Sequence, residues 1–437
     1  MGRARWRQAF AWSCVLALAT TAAACSDDDS STAAPVTVPV PTGPITGPTL
    51  VDPAGDGLLT VGVLLPLTGP GSEIGTVMRD AVEQARNETE AAGVQFRDVE
   101  LIVVDESTVQ GAITPTLAGI FTEEVDAVIG PASSLLAERL LPVTIAAGVF
   151  TCSPTASALS LDDVPDPGPL FVRTIPSDSM QATALAVELD STGVDVTLAY
   201  VDDSYGRPFM ERVTAELDRL GAADVDTFPF DPLEPDYASV ATKILATGHA
   251  TVGIIGDPDA GPRLIQSLAE QITTELPTSI WMNDAMRVPA NSSAYRRLAG
   301  SPILERMAGV SPRSTVPTPT PVAPGVKALP DGGRFFAANA YDCMNVIALA
   351  ADQAAFINGR DIAEQVVQVT NGGTQCSSFV ACITELRNGR SIDYDGPSGL
   401  LDIGADGDPA VGVFDVYRFD ERGLDVTAGD PRVTVDS

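Results

Sequence analysis

Val128-Ile129-Gly130-Pro131-Ala132-Ser133 and Ile254-Ile255-Gly256-Asp257-Pro258-Asp259 share a local signature: each ends an apolar run with Ile-Gly and turns straight into a helical pattern. Taken singly, Gly-Pro and Asp-Pro are ordinary turn chemistry. Two such turns in matching places point to a structural duplication. In open parallel sheets, ligands sit outside the carboxyl ends of the strands, so both turns are expected to face a crevice between two units.

The pattern on either side of these turns alternates between short apolar strands and amphipathic helices. Leu59 to Leu65 reads as a buried strand, followed by Ile74, Val77, Met78, Ala81, Val82 and Ala85 at helical spacing. Next come a strand at 99–104, a helix near 112–121, a strand at 127–129, a helix near 134–147 and a strand at 149–152. That order predicts a parallel α/β sheet. After Phe171-Val172-Arg173-Thr174 a second series begins: helix 179–190, strand 196–201, helix 206–220, strand 225–230, helix 238–247, strand 251–255, helix 260–273 and strand 279–282. Residues 311–333, rich in Pro and Thr, read as a surface loop. Helices at about 334–356 and 361–369 follow, then short strands around 399–401 and 411–419. Asp402 to Asp408 is acidic, but its spacing departs from a calcium loop and an acidic turn is the better reading.

With 437 residues, 45% hydrophobic and 19% charged, the chain is too apolar for disorder and long enough for two or three domains. Its formal charge of −32 excludes a surface built to neutralise phosphate, so nucleic acid is not expected as a partner. The single histidine, His249, rules out a zinc site with several His ligands and leaves any Ser-His-Asp arrangement dependent on one residue. It lies between a helix and a strand and reads as a solvated loop residue. No Gly-x-Ser-x-Gly elbow is present, which counts against an exported hydrolase using Ser134 or Ser153. An enzyme, a metal and a cofactor are therefore not expected.

Arg3, Arg5 and Arg7 precede an apolar run from Ala9 to Ala24 that is too short to span a bilayer, the layout of a secretory signal. Its end, Ala22-Ala23-Ala24-Cys25-Ser26-Asp27, resembles the lipobox of bacterial lipoproteins, with Ala22 where Leu is usual. That resemblance implies a signal peptide at 1–24, cleavage before Cys25 and a lipid on its sulfur; the alternative is an ordinary signal cut after Ala24. Removal of residues 1–24 takes the charge from −32 to −35. Residues 25–57 are rich in Pro, Thr and Ala and read as a tether. In an oxidising compartment Cys152, Cys343, Cys376 and Cys382 allow three pairings. A local Cys376–Cys382 loop is the simplest choice and leaves Cys152 with Cys343; metal ligation is the weaker alternative.

Several motifs together resemble the type I periplasmic binding proteins, in particular the Leu/Ile/Val receptors of ABC importers. They are Val61-Gly62-Val63-Leu64-Leu65-Pro66-Leu67-Thr68-Gly69-Pro70, Val128 to Ser134, Cys152-Ser153-Pro154-Thr155-Ala156-Ser157, Arg173-Thr174-Ile175-Pro176-Ser177-Asp178, Asp202-Asp203-Ser204-Tyr205-Gly206 and Asp236-Tyr237. The resemblance implies two doubly wound parallel-sheet lobes joined by a multi-strand hinge, the first from 58–175 and 305–400, the second from 176–304 and 401–437. It implies that Ser134 and Ser157, with Ser133 and Thr155 beside them, grip a ligand carboxylate. A helix N-terminus supports this with free N–H donors and a partial positive charge. Asp259 is the position implied for the ligand ammonium, Tyr205 for a second-lobe contact and Tyr341 for a first-lobe wall. Ile74 stands where relatives that bind aliphatic amino acids often have an aromatic residue, and Asp259 where they often have Glu.

The function so implied is an extracytoplasmic receptor, monomeric and lipid-anchored, that closes on a branched-chain or other aliphatic amino acid and presents it to an ABC permease. The other readings are a receptor for an amide, a urea-like compound or an aromatic carboxylate, and a sensor that reports to a signalling protein.

Overall fold

A computed structural model describes residues 57–94, 98–108, 118, 119, 121, 125–164, 169–191, 193, 195–222, 224–275, 277–287, 294–313, 335–354, 357–427 and 432–436. The expected signal peptide, Cys25, the tether, most of the helix near 112–121 and nearly all of the Pro/Thr-rich loop lie outside these residues.

The first sheet is fully parallel. Its strands are β1 (Leu58–Leu65), β2 (Asp98–Asp105), β3 (Ala127–Ile129), β4 (Phe150–Ser153) and β5 (Phe171–Arg173), in the order β2-β1-β3-β4-β5. Helix α1 (Ser72–Ala92) follows β1 and buries Val77, Met78, Ala81, Val82 and Ala85, the face that its 3.6-residue spacing predicts. Helix α2 (Ser134–Ala147) follows β3.

The second sheet repeats that winding. Helix α3 (Asp178–Asp190) leads to β6 (Val196–Val201), α4 (Gly206–Leu220), β7 (Val225–Phe230), α5 (Ala238–Thr247), β8 (Thr251–Ile255), α6 (Ala260–Gln271), β9 (Ser279–Met282) and β10 (Met307–Pro312). The strand order is β14-β13-β10-β9-β8-β6-β7. Its parallel part, β7-β6-β8-β9-β10, has the same permutation as the first sheet. β3 and β8, which carry the paired Ile-Gly turns, therefore occupy equivalent places beside the strand where the winding reverses. Two antiparallel strands, β13 (Val411–Arg418) and β14 (Arg432–Asp436), extend this sheet on the β10 side.

Strand β10 departs from the expected lobe boundary at 305. It pairs in parallel with β9 and antiparallel with β13, so residues 307–312 belong to the second sheet. The chain returns to the first lobe with α7 (Ala337–Gln353), α8 (Gly359–Val369), β11 (Thr374–Cys376), α9 (Phe379–Arg387) and β12 (Ile392–Tyr394). No strand forms at 399–401; Leu401 and Ile403 instead bury their side chains in the first-lobe core.

Every residue of α7 from Ala337 to Asp352 is buried. Its many alanines allow close approach on all sides, and several of its polar groups are tied to neighbouring elements. The Asn339 amide donates to the Thr174 carbonyl at 2.6 Å, and Asp342 accepts from Tyr394 Oη at 2.6 Å and Ser398 N at 2.8 Å. A disulfide joins Cys343 of α7 to Cys152 of β4, and a second joins Cys376 to Cys382 between β11 and α9.

Candidate functional site

The first-lobe side of the site is built on two turns. Gly130, at φ +107°, leaves β3 so close to β1 that a Cβ there would lie 2.1 Å from the Leu64 carbonyl oxygen. The turn that follows is stitched to the end of β4. Ser153 Oγ donates to the Pro131 carbonyl at 2.7 Å, Thr155 Oγ1 donates to the Ala132 carbonyl at 3.0 Å, and Ser134 Oγ accepts from Ala158 N at 3.3 Å. Ser133 caps α2 by accepting from Leu136 N.

Glu106, just past β2, adds a carboxylate to this turn and accepts from Ala132 N at 2.7 Å and Ser133 N at 2.8 Å. Burial outweighs those two bonds and pushes its carboxyl up to about 7.

The second-lobe side is organised by Asn283, which is wholly buried after β9. Its amide accepts from Gly256 N at 2.9 Å and donates both to the Gly256 carbonyl at 3.0 Å and to Tyr205 Oη at 2.9 Å. One side chain thus registers the ends of β6, β8 and β9. Asp203 Oδ1 accepts from Tyr205 N and Gly206 N and so starts α4; Asp257 Oδ1 does the same for Asp259 N and Ala260 N at α6.

Two acids line this side. Asp178, the first residue of α3, is 1% exposed, and its Oδ2 has no hydrogen-bond partner among the described residues. Desolvation, reinforced by the charge of Asp284, raises its pKa, while the Ser157 hydroxyl and Arg173 oppose that shift. Asp284, beside Asn283, keeps part of its surface open but is surrounded by protein. Burial raises its pKa too, against the Gln181 amide and Arg287. The lobes meet here, since Asp178 N donates to the Ser157 carbonyl at 2.8 Å.

Arg173 holds the crossing from β5 to α3. Its buried guanidinium pairs with Asp162 at 2.7 Å and, through two nitrogens, with the carboxylate of Asp408, while its backbone N donates to the Gly407 carbonyl. The acidic 402–408 segment is an irregular stretch with a turn, as expected, tied to an arginine through Asp408, and among the described residues no His, Cys, Asp and Glu cluster fits a metal.

Ser133, Ser134, Thr155 and Ser157 all lie in or beside the two stitched first-lobe turns, and Tyr205 lies on the facing turn of the second lobe. Two expected residues lie elsewhere. The Asp259 side chain is 87% exposed and paired with Arg263 at 3.1 Å; it precedes α6 without capping it, and Asp257 accepts from the Asp259 and Ala260 N–H groups instead. Tyr341 is fully buried in the first-lobe core and donates to Glu88 of α1, so it is no cleft wall. His249 is packed rather than solvated: its ring is 14% exposed and Nδ1 lies 3.0 Å from Thr197 Oγ1, at the opposite end of the second sheet. Asp178, Asp284, Asn283 and Glu106 were not foreseen. Asp178 stood in a quoted motif, where an acid in a first helical turn reads as dipole compensation.

The family profile described as "Periplasmic binding protein" matches residues 59–294. The chain is 26% identical over 385 residues to the "Chemotactic signal transduction system substrate-binding protein BasB" of Halobacterium salinarum, covering 84% of this chain and 88% of that one. Among solved structures it is similar to the branched-chain amino acid transporter substrate binding protein LivJ of Streptococcus pneumoniae in complex with isoleucine. The identity is 17% and the TM-score 0.63, over 87% of this chain and 100% of that one. It is also similar to a solute binding protein of an ABC transporter from Rhodopseudomonas palustris in complex with p-hydroxybenzoic acid. Here the identity is 15% and the TM-score 0.66, over 87% and 98% of the two chains. At such identities the structural likeness bears on the fold alone.

Proposed function

The chain belongs to the periplasmic binding protein family, and from that membership we propose an extracytoplasmic solute receptor whose two lobes close on a small α-amino acid, with branched-chain and other aliphatic amino acids as the leading class. The observation that carries this reading is the buried Asp178 carboxyl, whose Oδ2 has no partner among the described residues and which faces the hydroxyl-bearing first-lobe turns. A buried acid oxygen without a donor is costly, and a ligand ammonium supplies the missing donor. Asp178 and Asp284 take the ammonium in this reading, in place of Asp259. Ser134, Ser157 and the N-terminal turn of α2 take the carboxylate, while Ser133, Thr155 and Glu106 hold the turn in place. Tyr205 closes the second-lobe side. Closure follows from the higher affinity of the closed form for ligand.

In this proposal the protein is exported, anchored through lipid on Cys25, monomeric, and docks in its closed form on an ABC permease. It is not an enzyme. The N-terminal sequence supports the export and anchoring, and family membership supports the receptor role. The similarity to a chemotactic substrate-binding protein across most of both chains favours a second reading, in which the closed form reports to a signalling receptor.

A thermal-shift screen of the whole chain, freed of co-purified ligand, tests the reading. Amino acids, their amides, short-chain carboxylates, 4-hydroxybenzoate and urea form the panel. Stabilisation by aliphatic L-amino acids but not by their amides supports the proposal, since bound ligand stabilises by mass action. Stabilisation only by compounds without an amino group removes Asp178 and Asp284 from the site.

A further inference from the structure

The acid pair on the second-lobe wall has a surplus of negative charge. Asp178 faces Ser157 from the first lobe, Arg173 and Asp162 from the hinge, Asp284 from the turn after β9 and Tyr205 from the turn after β6; Asp203 lies near Tyr205. Asp284 faces Gln181 of α3 and Arg287. Neither arginine brings a free charge to the pair. Arg173 is committed to Asp162 and Asp408, and Arg287 to Asp415 at 3.3 Å and Asp425 at 2.9 Å. Gln181, one turn along α3, is 1% exposed. Two carboxylates in one desolvated wall oppose each other's ionisation, so their protons come off as a pair rather than singly.

We infer that ligand uptake here is an exchange of a proton for an ammonium group: the ligand-free cleft keeps one proton on the Asp178 and Asp284 pair, and the entering ammonium displaces it into solvent. The inference rests on the amino-acid reading of the same site. The exchange makes and breaks no covalent bond other than the O–H bond of the acid. The proton passes to buffer, and the wall with its occupant keeps the net charge it had with its proton. Affinity therefore climbs with pH while the free pair is protonated, by about tenfold per pH unit for one displaced proton, and levels off once the pair ionises without ligand. Below that range, protons compete with ligand and the receptor lets go.

Isothermal titration calorimetry of the whole chain at pH 7 tests the exchange. The twenty proteinogenic L-amino acids serve as probes, each in phosphate and in Tris, buffers of very different ionisation enthalpy. The expected result is a binding enthalpy that depends on buffer and corresponds to about one proton released per ligand bound. Asp178→Asn should bind more weakly, release fewer protons and show a shallower climb of affinity between about pH 6 and 8, because one acid of the pair no longer titrates while burial still raises the other. An Asp178 that served only to start α3 would change stability without changing the proton count. Asp342→Asn, which removes a buried acid of the first-lobe core, should retain the release, which assigns the proton to the second-lobe pair. Amino-acid binding with buffer-independent enthalpy overturns the exchange and leaves the receptor reading standing. No binding heat with any of the twenty, together with no thermal stabilisation, overturns the receptor reading and the exchange with it.

Discussion

Asp178 and Asp259 each stand at the start of a helix, yet one is sealed in protein with an idle oxygen and the other lies in solvent beside Arg263. Nothing local in the sequence separates them, because burial is decided by which turn the other lobe covers. The first-lobe serines were legible for the opposite reason: a strand ending in Ile-Gly followed by Ser-Ser fixes a helix N-terminus from neighbouring residues alone. The measurable difference is in binding. Asp259→Ala should leave amino-acid affinity within about twofold, since an exposed i,i+4 pair contributes little. Asp284→Ala should weaken affinity by about a hundredfold or more, as loss of a charged hydrogen-bond partner in a desolvated site does. Titration of both variants with the best ligand from the thermal screen checks the pair. Comparable losses in both would return Asp259 to the site.

At the scale of elements, the alternation of strands and helices could be read through β9 because each strand there is short, apolar and bounded by turn residues. β10 could not be placed the same way. Met307 to Pro312 holds Gly309 and ends in proline, and its membership of the second sheet comes from pairing with β9 and with β13, more than a hundred residues away. The hinge was hidden similarly, since Arg173 and Asp408 meet only in the folded chain. Arg173→Ala should lower unfolding free energy by about 3 to 5 kcal/mol, because it leaves Asp408 buried without its cation; urea titration measures this. Gly130→Ala should also destabilise, by about 1 to 3 kcal/mol, because its φ of +107° and the nearby Leu64 carbonyl leave no room for a Cβ. That variant should lose ligand affinity as well, since the Ser133-Ser134 turn hangs from this residue.

For the whole molecule, the buried acids set how stability depends on pH. Glu106 and Asp342 are each raised to about 7, and Asp178 and Asp284 are raised too, all chiefly by desolvation. A folded state with raised acid pKa values binds more protons than the unfolded chain between about pH 4 and 7. The stability those groups contribute is complete below the unfolded pKa and is lost as pH climbs through the folded value. The urea midpoint of the ligand-free protein should therefore fall from pH 5 to pH 8, and Asp342→Asn should flatten that fall. The Cys152–Cys343 disulfide spans 191 positions, and removing it as a double Ser variant should cost about 3 kcal/mol. The same bond has a consequence for the order in which the protein can be made. A chain that emerges amino end first delivers β1 to β5 early, but their central helix, α7, comes only after β6 to β10 have passed. The second sheet in turn lacks β13 and β14 until α7 to α9 are out. The first half waits for α7 to α9 and the second for β13 and β14, so the newborn polypeptide must stay incompletely packed until its last strands arrive, and mispairing of the waiting Cys152 is a hazard until Cys343 emerges.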